Sequence, residues 1–213
     1  MHEMRQHRST QGSTATVLAV AAGLLAVLTG CAPAPAPSAA PASTPAPVLI
    51  QDANPATLDS LPKPPTQPIA LSVPDLNIDM PIEPHGLDEV GAMSLPETPF
   101  SAAWYQYGSG PDSQSGSTVL AAHVDDRDYG VGPFSRIRDA QPGMVMSVTD
   151  QAGVVHTYSV AAVERIPRAE VPLDRVFTAV GDPTLVLITC GGQFNESTRS
   201  YSDNYIVTAE KVS

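Results

Sequence analysis

Short runs of apolar and β-branched residues, bounded by Gly, Pro, Asn or Asp, dominate the chain after residue 68. Such runs, rich in Val, Ile, Thr and Tyr, are typical of β-strands. The pattern predicts seven strands, at Ile69–Val73, Leu76–Ile82, Ser117–Val124, Met144–Thr149, Val154–Val163, Thr184–Thr189 and Asn204–Val212. The polar segment Asp150-Gln151-Ala152-Gly153 separates two of these runs, so it predicts a hairpin loop with glycine in the special backbone position.

Helical patterns are brief and occur at Phe134–Arg138 and at Leu173–Thr178. Closely spaced strands with few helices predict an all-β domain, either a barrel or a sandwich. Periodicity alone does not distinguish these two architectures.

The N-terminal segment has the layout of a secretory signal, with Arg5 and Arg8 before an apolar run over residues 15–29. The run ends in Leu28-Thr29-Gly30-Cys31, which resembles a bacterial lipobox and makes Cys31 a candidate for lipidation. The alternative is an uncleaved N-terminal membrane anchor. Either reading of residues 1–31 places the rest of the chain outside the cytoplasm and attached to the membrane.

Residues 32–68 are mostly Pro, Ala, Ser and Thr and hold half of the 22 prolines of the chain. Proline fixes φ and removes backbone donors, and the segment has too few apolar side chains to offset the entropy of ordering. We therefore predict a disordered linker with polyproline II character. Residues 69–213 remain as one domain, large enough to bury a core.

The formal net charge of −11 argues against binding to nucleic acid or to anionic lipid. The sequence indicates no cofactor. An acidic cluster at Asp125, Asp126 and Asp128 lacks the ligand spacing of a recognised calcium loop, so we interpret it as a solvated loop. Asp125 is also a candidate for orienting the neighbouring His123.

Cys190 is the only cysteine after Cys31, so it has no internal disulfide partner and is either an inert buried thiol or a nucleophile. It follows the apolar run Thr184–Thr189, and His123 follows a second apolar run. Arg199 lies just before the last predicted strand. A nearby cation stabilises a thiolate, a histidine can donate and accept a proton, and a guanidinium can face a developing oxyanion. These three residue types therefore suit acyl transfer by a cysteine.

The order His, Cys, Arg resembles the sortases, and the local sequences resemble the class F sortases of actinobacteria. The resemblance covers residues 69–213, and the matching pieces are Gly91-Ala92-Met93, Trp104-Tyr105, Val119-Leu120-Ala121-Ala122-His123-Val124-Asp125, Leu187-Ile188-Thr189-Cys190-Gly191-Gly192 and Ser197-Thr198-Arg199-Ser200-Tyr201-Ser202-Asp203-Asn204. Two departures are visible. Val186 replaces the threonine common at the start of the cysteine motif, and the lipobox-like N-terminus differs from the usual uncleaved anchor.

The resemblance implies a closed β-barrel of about eight strands with one or two short helices. It also implies a membrane-tethered transpeptidase, acting outside the cytoplasm in a Gram-positive-type actinobacterial envelope. Such an enzyme cleaves an LPXTG-like sorting signal of a surface protein, forms a thioester with the threonine, and passes it to an amine of a cell-wall precursor. Cys190, His123 and Arg199 fall on the catalytic positions, and we expect a monomer.

Two rival functions stay open. One is a non-catalytic lipoprotein that binds a wall peptide on the same barrel. The other is an L,D-transpeptidase, which the sequence disfavours because Cys190 lacks the Ser-His-Gly-Cys context of that family.

Overall fold

Strands account for most of the described part of the chain, which in this computed structural model is residues 64–212. The strands are β1 (Pro68–Val73), β2 (Ile78–His85), β3 (Ala102–Tyr105), β4 (Ser117–Ala121), β5 (Asp125–Asp126), β6 (Gly130–Val131), β7 (Val145–Asp150), β8 (Val155–Pro167), β9 (Thr184–Asn195) and β10 (Ser200–Lys211). One short α-helix, α1, spans Leu173–Val176. The signal segment, Cys31 and most of the proline-rich segment lie outside the described residues, and the assignments made for them stay predictions.

Eight of these strands close into a barrel in the order β1-β2-β3-β4-β9-β10-β8-β7, with β7 pairing back to β1. The β2–β3 and β4–β9 pairs are parallel and the other barrel pairs are antiparallel. β5 and β6 form a separate two-stranded sheet. The all-β prediction is confirmed, and the closed order decides for the barrel over the sandwich.

Alternating side chains give the barrel an inner core and a smaller outer cluster. On β9, Leu185 and Leu187 point into the core, whereas Val186 and Ile188 point outward. The outer cluster packs around Val176 of α1. This alternation follows from the two-residue period of a strand, and it decides which β9 side chains can reach a surface cleft.

Short helical segments cover parts of the barrel. A 3-10 helix over Pro133–Asp139 buries Phe134 and Ile137 completely in the core. Both brief helical predictions therefore correspond to helical turns, although the first is a 3-10 helix and α1 ends earlier than predicted. Within residues 64–212, no helix has the length and apolar character needed to cross a bilayer.

Three local features differ from the sequence interpretation. The strand β3, with the sequence Ala-Ala-Trp-Tyr, was missed because it is short and alanine is a poor strand former. β9 continues through Cys190 to Asn195 because it keeps its pairing with β10. Thr66, which the sequence placed in the linker, binds the Asp112 carboxylate through its backbone N–H at 2.8 Å and its hydroxyl at 2.6 Å.

Candidate active site

Cys190 lies in the middle of β9 and not at its end, as the sequence had suggested. Its side chain follows the outward direction of Val186 and Ile188 and is half-buried. Within the described residues it is a free cysteine. The sulfur therefore lies on the outer wall of the barrel, where a ligand can approach it.

His123 reaches the same level of the barrel from the neighbouring strand. β4 and β9 run parallel with Ala121 paired to Ile188, so His123 and Cys190 each lie two residues beyond that pair. Adjacent strands are about 4.8 Å apart. His123 follows the end of β4 and lines the same cleft as Cys190, so the β4–β9 register brings imidazole and thiol to one surface.

Two hydrogen bonds fix the segment that carries His123. The backbone N–H of Ala122 donates to the carbonyl oxygen of Ile188 at 3.2 Å. In the opposite direction, the hydroxyl of Thr189 donates to the carbonyl oxygen of Ala122 at 2.8 Å, and Thr189 is buried. Both contacts attach the residue before His123 to the residues just before Cys190. The relative position of the two functional side chains is thus held by β9 itself.

A cleft of about 1050 Å³ contains all three residues that the sequence selected, Cys190, His123 and Arg199. Arg168, which follows the end of β8, and Tyr201 of β10 also line it. The cleft therefore joins the segment after β4, the end of β8 and the β9–β10 hairpin.

Arg199 lies in the turn of the β9–β10 hairpin, immediately before β10. Its φ of 49° is in the left-handed region, which non-glycine residues seldom adopt. The turn is held by the side-chain oxygen of Asn195, which accepts the backbone N–H of Ser197 at 2.9 Å and of Thr198 at 3.3 Å. Arg199 thus projects from the far end of the hairpin. The sequence had correctly placed it next to the start of a strand.

Burial raises the pKa of the Cys190 thiol. The guanidinium of Arg168 acts in the opposite direction, and the carboxylate of Asp125 raises the pKa further. Because burial outweighs the single cation, the neutral thiol predominates at pH 7 in the protein without substrate. A group that adds positive charge or removes negative charge near the sulfur will increase the thiolate fraction.

Asp125 has a different partner from the one that the sequence suggested. The hydroxyl of Tyr201 donates to its Oδ2 at 2.5 Å, across the cleft. Burial, together with this hydrogen bond and the Asp125 charge, raises the pKa of Tyr201 to about 12, so the phenol remains protonated. The tyrosine lay inside a motif that the sequence analysis quoted, but no local pattern assigned it a contact.

The remaining acidic residues form a turn. Asp126 Oδ1 accepts the backbone N–H of Asp128 at 2.7 Å and of Tyr129 at 3.1 Å, and these bonds lower the pKa of Asp126. Among residues 64–212 there is no cluster of His, Cys, Asp and Glu side chains arranged to hold a metal ion. Asp128 lies in the turn between β5 and β6, whereas Asp125 and Asp126 form strand β5, so only Asp128 matches the interpretation of the acidic cluster as a loop.

Gly191 and Gly192 serve packing and not a sharp turn after Cys190. A Cβ on Gly191 would collide with the ring of Tyr205, and one on Gly192 would collide with Asp203 and Ser202. Gly192 also has a φ of 80°, at a register shift between β9 and β10. The two glycines therefore let β10 lie close behind the cysteine.

Comparisons with known proteins agree with this architecture. A protein-family model described as the sortase domain matches residues 71–212. No curated protein matches the chain.

Three solved structures illustrate the similarity of fold. Sortase C-1 from Actinomyces oris has 19% identity and a TM-score of 0.53, over 69% of this chain and 76% of that one. The lid mutant of sortase A from Corynebacterium diphtheriae has 19% identity and a TM-score of 0.53, over 71% and 73%. Sortase C2 of Group B Streptococcus pilus island 1 has 18% identity and a TM-score of 0.52, over 68% and 73%. These relatives bear class A and class C names, so the class F resemblance stays a prediction.

Proposed function

Since the chain belongs to the sortase family, whose domain matches residues 71–212, we propose that it is a cysteine transpeptidase with Cys190 as nucleophile and His123 as general acid and base. The observation that carries this proposal is the parallel β4–β9 register, which brings both residues to one cleft. The proposed substrate is an LPXTG-like sorting signal on a surface protein, with an amine of a cell-wall precursor as acceptor.

The reaction proceeds in two half-steps. The Cys190 thiolate attacks the threonine carbonyl carbon, and the carbonyl oxygen becomes an oxyanion. When the bond to glycine breaks, protonated His123 gives its proton to the leaving amine, and a thioester remains on the sulfur. The acceptor amine then attacks the thioester carbonyl, His123 takes the proton from that amine, and the thiolate leaves.

Arg199 is the proposed partner of the oxyanion. It lines the cleft, it is always charged, and its planar guanidinium can donate two hydrogen bonds to a carbonyl oxygen. Its position on the hairpin suits contact with a peptide that fills the cleft.

The family suggests action outside the cytoplasm, at the cell wall of a Gram-positive-type bacterium. We propose that residues 1–31 either signal export and lipidation at Cys31 or anchor the chain uncleaved, and that residues 32–68 act as a spacer. The activity is proposed for a monomer.

An acyl-transfer assay with an LPXTG peptide and an amine acceptor tests the function, with intact-mass detection of the adduct. We expect a thioester on the wild-type protein, none on Cys190→Ala, and transfer that is lost in His123→Ala. His85→Ala is the matched histidine control, because His85 binds Ser94 at 3.1 Å outside the cleft. Full turnover by Cys190→Ala would refute the mechanism.

The cleft also suits one alternative, a binding protein that holds a wall peptide without reacting. Saturable peptide binding without any mass increase on Cys190, over a wide pH range, would support that alternative.

A further inference from the structure

We propose that Arg168 is the cation that stabilises the Cys190 thiolate, and that Arg199 acts on the bound peptide instead of on the free sulfur. This inference rests on the proposed function, because that function makes Cys190 the nucleophile. It adds a residue that directly follows β8, on the opposite side of the cleft from His123, to the residues that the sequence selected.

The evidence for the role of Arg168 is the order of strands β9, β10 and β8 in the barrel. Asn204 of β10 pairs with Cys190 on one side and with Ile166 of β8 on the other. Cys190 and Ile166 are therefore two strand spacings apart, about 10 Å between backbones. Ile166 belongs to the outer cluster, so it shares the face on which the Cys190 side chain lies. Arg168 follows Ile166 by two residues, and its long side chain lines the same cleft as Cys190.

The β9–β10 pairing places Arg199 farther from Cys190. Ser200, the first residue of β10, pairs with Asn195, which is five residues beyond Cys190 on β9. At ~3.3 Å per residue that is roughly 16 Å of strand. An extended arginine side chain shortens this distance but does not close it. Arg199 therefore suits the carbonyl of a peptide that occupies the space between hairpin and sulfur.

Other charged and titratable groups face this cleft from every neighbouring element. The segment after β4 contributes His123, Asp125, Asp126 and Arg127. The β9–β10 hairpin contributes Glu196, Arg199 and Tyr201. After burial, the interactions that act on the thiol are the favourable charge of Arg168 and the unfavourable charge of Asp125. Removal of Arg168 and removal of Asp125 should therefore shift the ionisation of the Cys190 thiol in opposite directions.

The test is the rate of Cys190 alkylation by iodoacetamide as a function of pH, on the full chain, because only the thiolate reacts. Peptide mapping assigns the label to Cys190 and separates it from Cys31. We expect Arg168→Ala to slow alkylation at pH 7 by about tenfold, the size expected on losing one nearby opposite charge, and to move the profile to higher pH. Arg168→Lys should retain most of the rate.

Arg199→Ala is the matched control, since it removes the same charge from the same cleft. Its alkylation rate should stay within about twofold of wild type, because separated charges are screened. The proposal is overturned if Arg168→Ala alkylates as wild type does, or if Arg199→Ala has the larger effect. Arg168→Lys keeps the test decisive where the alanine variant fails to fold, because lysine keeps the positive charge. A folded lysine variant that alkylates markedly more slowly than wild type, with its profile moved to higher pH, also overturns the proposal.

The alkylation rate can be measured whether or not the protein forms an acyl adduct with a peptide. If the wild-type protein forms no acyl adduct but Arg168→Ala slows alkylation as expected, the function fails and the electrostatic role of Arg168 stands. If the adduct forms and the Arg168 variants alkylate normally, the function stands and the role of Arg168 fails.

Discussion

Replacement of Asp150 gives the sharpest test of what holds the β7–β8 hairpin of the barrel together. The residue is only 2% exposed, at the hairpin between β7 and β8. Oδ1 accepts the backbone N–H groups of Ala152 and Val154, each at 2.9 Å, and Oδ2 bonds to Nε2 of His156 at 2.8 Å. Burial alone would raise the pKa of Asp150, but these hydrogen bonds, led by that of His156, lower it below its ordinary value.

Asp150→Ala leaves two backbone N–H groups and the buried His156 without their partner. A buried polar group left without its hydrogen-bond partner costs about 1–3 kcal/mol, and a typical domain has only about 5–15 kcal/mol in total. Because three donors lose their acceptor, we expect Asp150→Ala to lose about 3–5 kcal/mol of unfolding free energy. Asp150→Asn keeps an acceptor oxygen for the two N–H groups, so it should lose about 1–3 kcal/mol.

Urea unfolding at several pH values measures both effects. A carboxylate whose pKa is lowered on folding contributes stability above its unfolded pKa, and that stability is lost as the pH falls through the folded pKa. The wild-type protein should lose this contribution below about pH 4, and Asp150→Asn should lack it. Asp139→Ala is the control, because Asp139 is exposed and 3.9 Å from Arg138. Equal stability of Asp150→Ala and Asp139→Ala at pH 7 would refute the reasoning.

Three further predictions concern the cleft. Gly191→Ala places a methyl group against the Tyr205 ring, so thermal denaturation should show a loss of about 1–3 kcal/mol; an unchanged midpoint would contradict the packing argument. Asp125→Asn removes the anion that disfavours the Cys190 thiolate, so iodoacetamide should label the sulfur several-fold faster at pH 7, on the order of one lost charge interaction; slower labelling would argue against it. Arg199→Lys should lose most transfer activity, because a compact ammonium does not reproduce the planar fork; a normal kcat/KM would assign the oxyanion to another arginine.

The pattern of strand-forming residues was enough to predict the all-β fold class and to select two residues of the candidate site. Cys190 and His123 each followed an apolar run, and runs of that kind form the adjacent strands β9 and β4. Their parallel pairing joins segments about 67 residues apart, as in the bond between Thr189 and Ala122. No local sequence pattern predicts that two such distant segments pair.

The sequence did not single out Arg168 among its arginines and assigned Tyr201 no contact, for the same physical reason. Arg168 follows a proline at the end of β8 and has the sequence of an ordinary exposed connection. It approaches Cys190 only because β10 lies between β8 and β9 in the barrel. Tyr201 reaches Asp125 across 76 residues of sequence. Such contacts depend on strand order, which propensity and periodicity do not specify.

The parallel β4–β9 junction also links chemistry to the timing of folding. The hydroxyls of Ser117 and Thr184 lie 3.1 Å apart there, at a sequence separation of 67 residues, and contacts of such long range form slowly because a large loop must close first. Until β4 and β9 pair, the imidazole of His123 has no fixed position near the sulfur of Cys190. A newly made chain therefore carries a thiol with ordinary reactivity, and the moment at which its labelling kinetics change marks the completion of the barrel.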